Sequence, residues 1–282
     1  SAKELGISDD HAGILILNSE ENKIGQPFIA FEPDTIFNLE ITPNRPDLLC
    51  MTGIARFLSI IFNKKMNYPS FDVSNINVDK FLDINKKIKI EVQDTELCPR
   101  YTARFIEGVK VGESPDWLKN RLKACNIRPI NNIVDVTNYI LLELNQPLHA
   151  FDYDKLENKK IIVRKALNKE SIIALDGKLY NLMQDNLIIA DDRKPVAIAG
   201  IMGGEKFSIN NTTNKIILES AFFNPKSIRK TSKTLNISSD SSYRFERGID
   251  VENVHNALNR ATELIINIAG GKTSKNYIDC YP

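Results

Sequence analysis

From about residue 86 onward the apolar residues of this chain arrive in short bursts, and that habit limits what it can fold into. Ile88, Ile90 and Val92 alternate with Lys89 and Glu91, the period-two signature of a half-buried strand. Further bursts of strand length fall at 161–164, 187–190, 196–201 and 216–218. Asp176-Gly177, between Ile172–Leu175 and Leu179–Leu182, reads as a hairpin turn. Helical signals flank this tract. Ser114-Pro115 reads as the N-cap and first residue of a helix through Trp117, Leu118 and Leu122. Val254, Leu258, Ala261, Ile265 and Ile268 recur at spacings of three and four, and Gly270-Gly271 closes that helix. Strands in the middle with helices at the edges predict an α+β fold, not a doubly wound parallel sheet.

The earlier residues read differently. Phe37, Leu39 and Ile41 alternate with Asn38 and Glu40, which predicts a strand over 36–41. A stiff loop with two prolines follows at 42–47, and Thr52 can cap a helix carrying Ile54, Phe57, Leu58 and Ile61. Residues 63–84 are polar and contain Pro69, so a domain boundary is expected there, dividing a small helical or mixed unit (1–77) from a larger one (78–282). The length of 282 residues suits roughly two domains. The Ser-Ala-Lys-Glu start is neither an initiator nor a signal peptide and reads as a beginning inside a longer protein.

A formal net charge of +1 leaves no global field to attract nucleic acid, so any RNA contact needs a local patch. Arg45, Arg56, Arg100, Arg104 and Arg128 are candidates for one, or simply part of a solvated face. The four cysteines are far apart and form no CxxC pair, and His11, His149 and His255 are remote in sequence, so no metal site is expected. No apolar run approaches a membrane span.

Four stretches are dense in chemically capable residues: 134–139, 146–152, 199–205 with 218–223, and 238–248. Glu219 lies between Ile216-Ile217-Leu218 and Ala221-Phe222-Phe223, so its carboxylate is expected to be buried and to need a partner. That partner is either Arg229, Arg244 or Arg247, or a ligand hydroxyl or amine. His149 follows Pro147 in a loop-like context and is either a packed side chain or a site residue. Gly203-Gly204 is either a tight turn or a place where backbone approaches a ligand. The serines at 238–242 have no GxSxG elbow and no triad order around them.

These stretches carry a resemblance. TPNRPD at 42–47, CPRYTAR at 98–104, RPINNIVDVTNY at 128–139, QPLHAFD at 146–152, AIAGIMGGE at 197–205, LESAFF at 218–223 and SSYRFERGID at 241–250 resemble the phenylalanyl-tRNA synthetase beta subunit. The resemblance implies a β-sandwich editing module with flanking helices over 78–282, preceded by the end of a helical, DNA-binding-like domain. It implies hydrolysis of tyrosine mis-attached to the phenylalanine tRNA; the alternative is a non-catalytic structural or RNA-interaction module. Carried over by position, it places Thr137, Asn138 and His149 in the editing pocket, with His149 and Asn138 positioning water. Gly203 and Gly204 form a glycine wall, Glu219 receives the tyrosine hydroxyl, and Ser239 and Ser241 shape the entry. The family often has threonine and alanine at those two serines, and commonly glycine at Asn145. The implied partners are the alpha subunit, in a two-alpha, two-beta assembly, and the phenylalanine tRNA, with tyrosine as the edited amino acid. ATP and magnesium are implied for the whole synthetase, no cofactor for this stretch, and a cytoplasmic location without a membrane.

Overall fold

The computed structural model describes residues 1–2, 11–18, 22–26, 28, 35–68 and 76–281. They form two compact units, Ser1–Glu40 and Ile41–Pro282. The described residues of the first unit contain no helix or strand. The strand expected over 36–41 is absent: Ile36 and Phe37 are 66% and 78% exposed, and no described strand pairs with them. Alternation supplies one apolar face, but a strand also needs a neighbouring backbone to bond.

The second unit opens with a single 3-10 turn at Pro46–Leu48 and helix α1 (Met51–Ile61). Cys50, not Thr52, caps α1, its sulfur accepting from Gly53 N at 3.3 Å. Thr52 instead donates to Glu143 O at 2.9 Å, a tertiary acceptor that local sequence does not reveal. Helix α2 (Asp116–Ala124) starts one residue later than expected, because Ser114 Oγ donates to Asp135 Oδ2 at 2.6 Å instead of capping. Helices α3 (Asn132–Leu144), α4 (Pro225–Leu235), α5 (Asp240–Phe245) and α6 (Asn253–Ala269) complete the set.

The strands are β1 (Val78–Asp79), β2 (Lys89–Val92), β3 (Arg100–Glu107), β4 (Leu148–Asp152), β5 (Lys160–Lys165), β6 (Ser171–Ile173), β7 (Leu179–Asn181), β8 (Leu187–Ala190), β9 (Pro195–Ile198), β10 (Met202–Gly203), β11 (Lys215–Phe222), β12 (Lys272–Ser274) and β13 (Ile278–Cys280). One sheet runs β1-β12-β3-β11-β4, with β13 also on β3; the second runs β10-β9-β8-β5-β2; β6 and β7 form the expected hairpin around Asp176-Gly177.

The period of two along β11 divides the protein into layers. Ile217 and Ala221 share a core with Tyr101, Phe105 and Phe151 of the same sheet and with Ile161, Val163, Ile188 and Val196 of the other sheet. Ile216 and Leu218 point the opposite way, into a second core with Ile133, Val136, Ile140, Leu258 and Ile265 of α3 and α6. The first sheet is therefore sandwiched between the second sheet and a helical layer, which is the α+β, sandwich-containing architecture expected. The boundary expected at 77 divides by composition; by packing, residues from Ile41 onward belong with the sandwich.

Asn145 shows how the 46–52 segment is held. It ends α3 in the left-handed region (φ 58°), where glycine is otherwise favoured, and its Nδ2 donates to Pro46 O at 3.0 Å. Asn145→Ala is expected to lower stability by about 1–2 kcal/mol through the Cβ cost and the lost bond. Asn145→Gly should lose less, and urea midpoints at constant slope will rank the two.

Candidate active site

The register of β11 determines which side chains meet. Glu219 lies directly opposite His149 on β4 and opposite Ala103 on β3. Tyr101, two residues before Ala103, shares that face. Tyr101, His149 and Glu219 therefore all point to the sandwich side of the sheet. His149 lies on a strand, not in the loop-like setting its neighbouring proline suggested. β4 is an edge strand of this sheet.

A cavity of about 450 Å³ sits there. Helix α3 contributes Val134, Thr137, Asn138 and Leu141; the second sheet and the turn before β10 contribute Ile198, Gly200 and Gly203 among others; α5 and its cap contribute Ser239, Asp240, Ser241 and Phe245. Seven of the residues singled out from sequence line this one cavity: Thr137, Asn138, His149, Gly203, Glu219, Ser239 and Ser241. Gly204 is not in its wall. A Cβ there would lie 2.7 Å from Val196 O, and Gly204 N donates to that same oxygen at 2.8 Å. Gly204 is thus a close approach between strands, and its amide is already engaged.

Glu219 is 5% exposed and makes no ion pair among the described residues. Of the arginines considered as partners, Arg244 bonds Asp240 and Arg247 bonds Glu246. Among the described residues the one hydrogen bond to its carboxylate comes from Tyr101, whose hydroxyl donates to Oε2 at 2.6 Å. Burial pushes the Glu219 carboxyl up to about 7, and the Tyr101 bond pulls against that rise.

His149 is held edge-on against Phe151, with ring centres 4.5 Å apart. Burial lowers it to about 4, so it is neutral at physiological pH, and its Nε2 has no partner. Gly203 gives this ring its room: a Cβ there would stand 2.5 Å from Cε1 and 2.8 Å from Nε2.

The remaining polar groups divide into engaged and free. Thr137 Oγ1 donates to Val134 O at 2.7 Å, within its own helix. Ser239 caps α5, accepting from Ser242 N at 3.0 Å and donating to Ile201 O at 2.7 Å, so its hydroxyl is structural and is no nucleophile. The side chains of Asn138 and Ser241 bond no described residue. The sequence gives no sign of a place at this site for Tyr101, Leu175, Asp176 or Asp240, of which Leu175 and Asp176 read only as parts of a hairpin. Tyr101 lay in plain view within CPRYTAR, but its partner is 118 residues away. Among the described residues no group of three or more His, Cys, Asp or Glu side chains could hold a metal.

Comparison with known proteins identifies the family. The B3/4 domain family matches residues 97–270, which include the cavity-lining residues named above. Phenylalanine-tRNA ligase beta subunits from Dehalococcoides mccartyi and Fusobacterium nucleatum are each 47% identical to the whole chain, and that from Geobacter sulfurreducens is 48% identical. The chain spans about a third of the length of these curated relatives (34–35%). A looser likeness (TM-score 0.47, 16% identity, 85% of this chain and 65% of the other) links it to an N-terminal fragment of the phenylalanyl-tRNA synthetase beta subunit from Pyrococcus horikoshii. With 174 consecutive residues matched, the chain belongs to the B3/4 domain family, in the form carried by phenylalanine-tRNA ligase beta subunits.

Proposed function

We propose that this chain is the proofreading part of a phenylalanine-tRNA ligase beta subunit, and that its cavity hydrolyses tyrosine mis-attached to the phenylalanine tRNA. The carrying observation is the buried Glu219 carboxylate, which has no counter-ion among the described residues and stands in the cavity wall across from a neutral His149 whose Nε2 none of them bonds. In this reading the acid accepts the phenol O–H of the misplaced residue. Phenylalanine would leave one oxygen of the buried acid without a donor; a missing hydroxyl is worth about 10⁴–10⁵ in discrimination where a site is built around one. An apolar synthetic pocket rejects an added hydroxyl by only about a hundredfold, so a second sieve is useful for this pair of amino acids.

The chemistry is ester hydrolysis by water. Water oxygen attacks the ester carbonyl, the tetrahedral intermediate collapses, and the ribose oxygen leaves with a proton, giving free tyrosine and uncharged tRNA. A histidine lowered to about 4 is a weak base, which supports an orienting role for Nε2, shared with the Asn138 amide, rather than full proton abstraction. The oxyanion donors do not include Gly204 N, which is engaged by Val196 O. The alpha subunit and the phenylalanine tRNA are the partners this role requires, ATP and magnesium belong to ligation elsewhere in the whole enzyme, and the setting is the cytoplasm.

Three outcomes test this reading. In synthetase assembled from the full-length subunits, Glu219→Ala is expected to cut the preference for Tyr-tRNA over Phe-tRNA in deacylation by at least about tenfold. An unaltered ratio refutes the role of the acid. His149→Ala should slow Tyr-tRNA hydrolysis about a hundredfold, and turnover at the parental rate removes it from the mechanism. The third outcome concerns stability. Because Glu219 is raised from 4.5 to about 7 in the fold, burial of the group costs nothing below about pH 4, costs progressively more as pH rises from about 4.5 to about 7, and costs a constant amount above that. Glu219→Gln should therefore be more stable than the parent above about pH 8, by up to about 3 kcal/mol, and match it near pH 4. Thermal midpoints across that range will show whether the two curves converge on the acid side.

A further inference from the structure

We propose that Tyr101 is a positioning residue for Glu219, its hydroxyl holding one carboxylate oxygen so that the other oxygen is offered to the phenol of a bound amino acid. This rests on the editing reading above and extends it to a residue outside the cavity lining. Tyr101 is fully buried, and its hydroxyl lies 2.6 Å from Oε2. Strand register fixes the pair: Tyr101 is opposite Ala221 while Glu219 is opposite Ala103, so the two are diagonal neighbours on one face. Cys280 of β13 is opposite Tyr101 on its other side, closing it in. A phenol O–H is thus the one donor the acid already holds, and a ligand phenol would supply a second of the same kind.

The charge state of the acid matters for selection. A neutral carboxyl can turn its own proton toward a weak acceptor and tolerates an apolar neighbour at modest cost. An ionised carboxylate can only accept, so a ring without a hydroxyl leaves it buried with one bond fewer. Held by Tyr101, the acid penalises phenylalanine more than a free carboxyl would.

The surrounding ionisable groups leave Glu219 as the one that changes charge near neutrality. His149 on β4 is neutral above about 4. The thiols of Cys98, before β3, and Cys280, on β13, are raised by burial, as is the Tyr101 phenol. Asp176, in the hairpin turn, is held low by the Tyr180 hydroxyl, and Asp240 of α5 pairs with Arg244.

The test compares full-length synthetase, parent and Tyr101→Phe, in Tyr-tRNA and Phe-tRNA deacylation from about pH 6 to pH 9, after subtraction of spontaneous hydrolysis. With the donor removed, the midpoint should move up by a unit or more. Tyr-tRNA preference at neutral pH should fall about tenfold and recover on the alkaline side. Glu219→Gln, permanently neutral, should show the deficit with no recovery. Fluorotyrosine at position 101, a stronger donor of nearly the same shape, should move the midpoint down, and it serves as the readout should Tyr101→Phe fail to fold. A Tyr101→Phe enzyme with the parental midpoint and ratio, or with a deficit equal at every pH, overturns the positioning role. A parent that deacylates neither substrate overturns the editing reading, and this inference with it.

Discussion

The structure depends on the pairing of β11 between β3 and β4. That strand supplies alternate residues to two cores, so its register cannot slip by one without sending Ile217 and Ala221 to the helices and Ile216 and Leu218 to the sandwich. The same alternation makes Glu219 the single acid on the sandwich side of the strand. A charged group there is costly, and the fold bears it because apolar neighbours along the strand enforce the register. Ser220 is accommodated on the opposite face by donating to Val254 O at 2.8 Å.

Around that strand the cavity is built largely by neighbours with structural duties of their own. Ser239 caps a helix and also reaches Ile201 O in the turn before β10, so the position of α5 and the position of Gly203 are linked. Asp135 accepts from Ser114 Oγ and Ile130 N and fixes the start of α3, the helix that presents Thr137 and Asn138. Among the described residues the groups left free for chemistry are few: the Asn138 amide, the Ser241 hydroxyl, Nε2 of His149 and the second carboxylate oxygen of Glu219. A wall that is rigid by prior commitment, with a few uncommitted groups in it, is the arrangement that preorganised sites require.

Much of this was legible in the sequence because type and context carried the signal. An acid inside an apolar run and a rare histidine beside a proline are unusual locally, and both residues line the cavity. Strand bursts at 88–92, 161–164 and 187–190 became β2, β5 and β8 because alternation and apolar runs report burial directly. What failed had distant causes. Thr52 looks like a helix cap until Glu143 O is brought beside it, and residues 36–41 look like a strand until no neighbour arrives. Tyr101 is an ordinary apolar residue in one dimension, and its hydroxyl acquires meaning through pairing with a segment more than a hundred positions away.

That long separation has a consequence for the timing of synthesis. Strand β3 (100–107) emerges from the ribosome early but cannot complete its sheet until β11 (215–222) has followed, and α6 (253–269) must then cover the exposed back of both. The acid and its tyrosine are therefore united late, and a nascent chain that stops short of β11 lacks one side of the cavity wall. The cavity wall would thus close all at once with the sandwich, and a partly made chain presents none of it in working order.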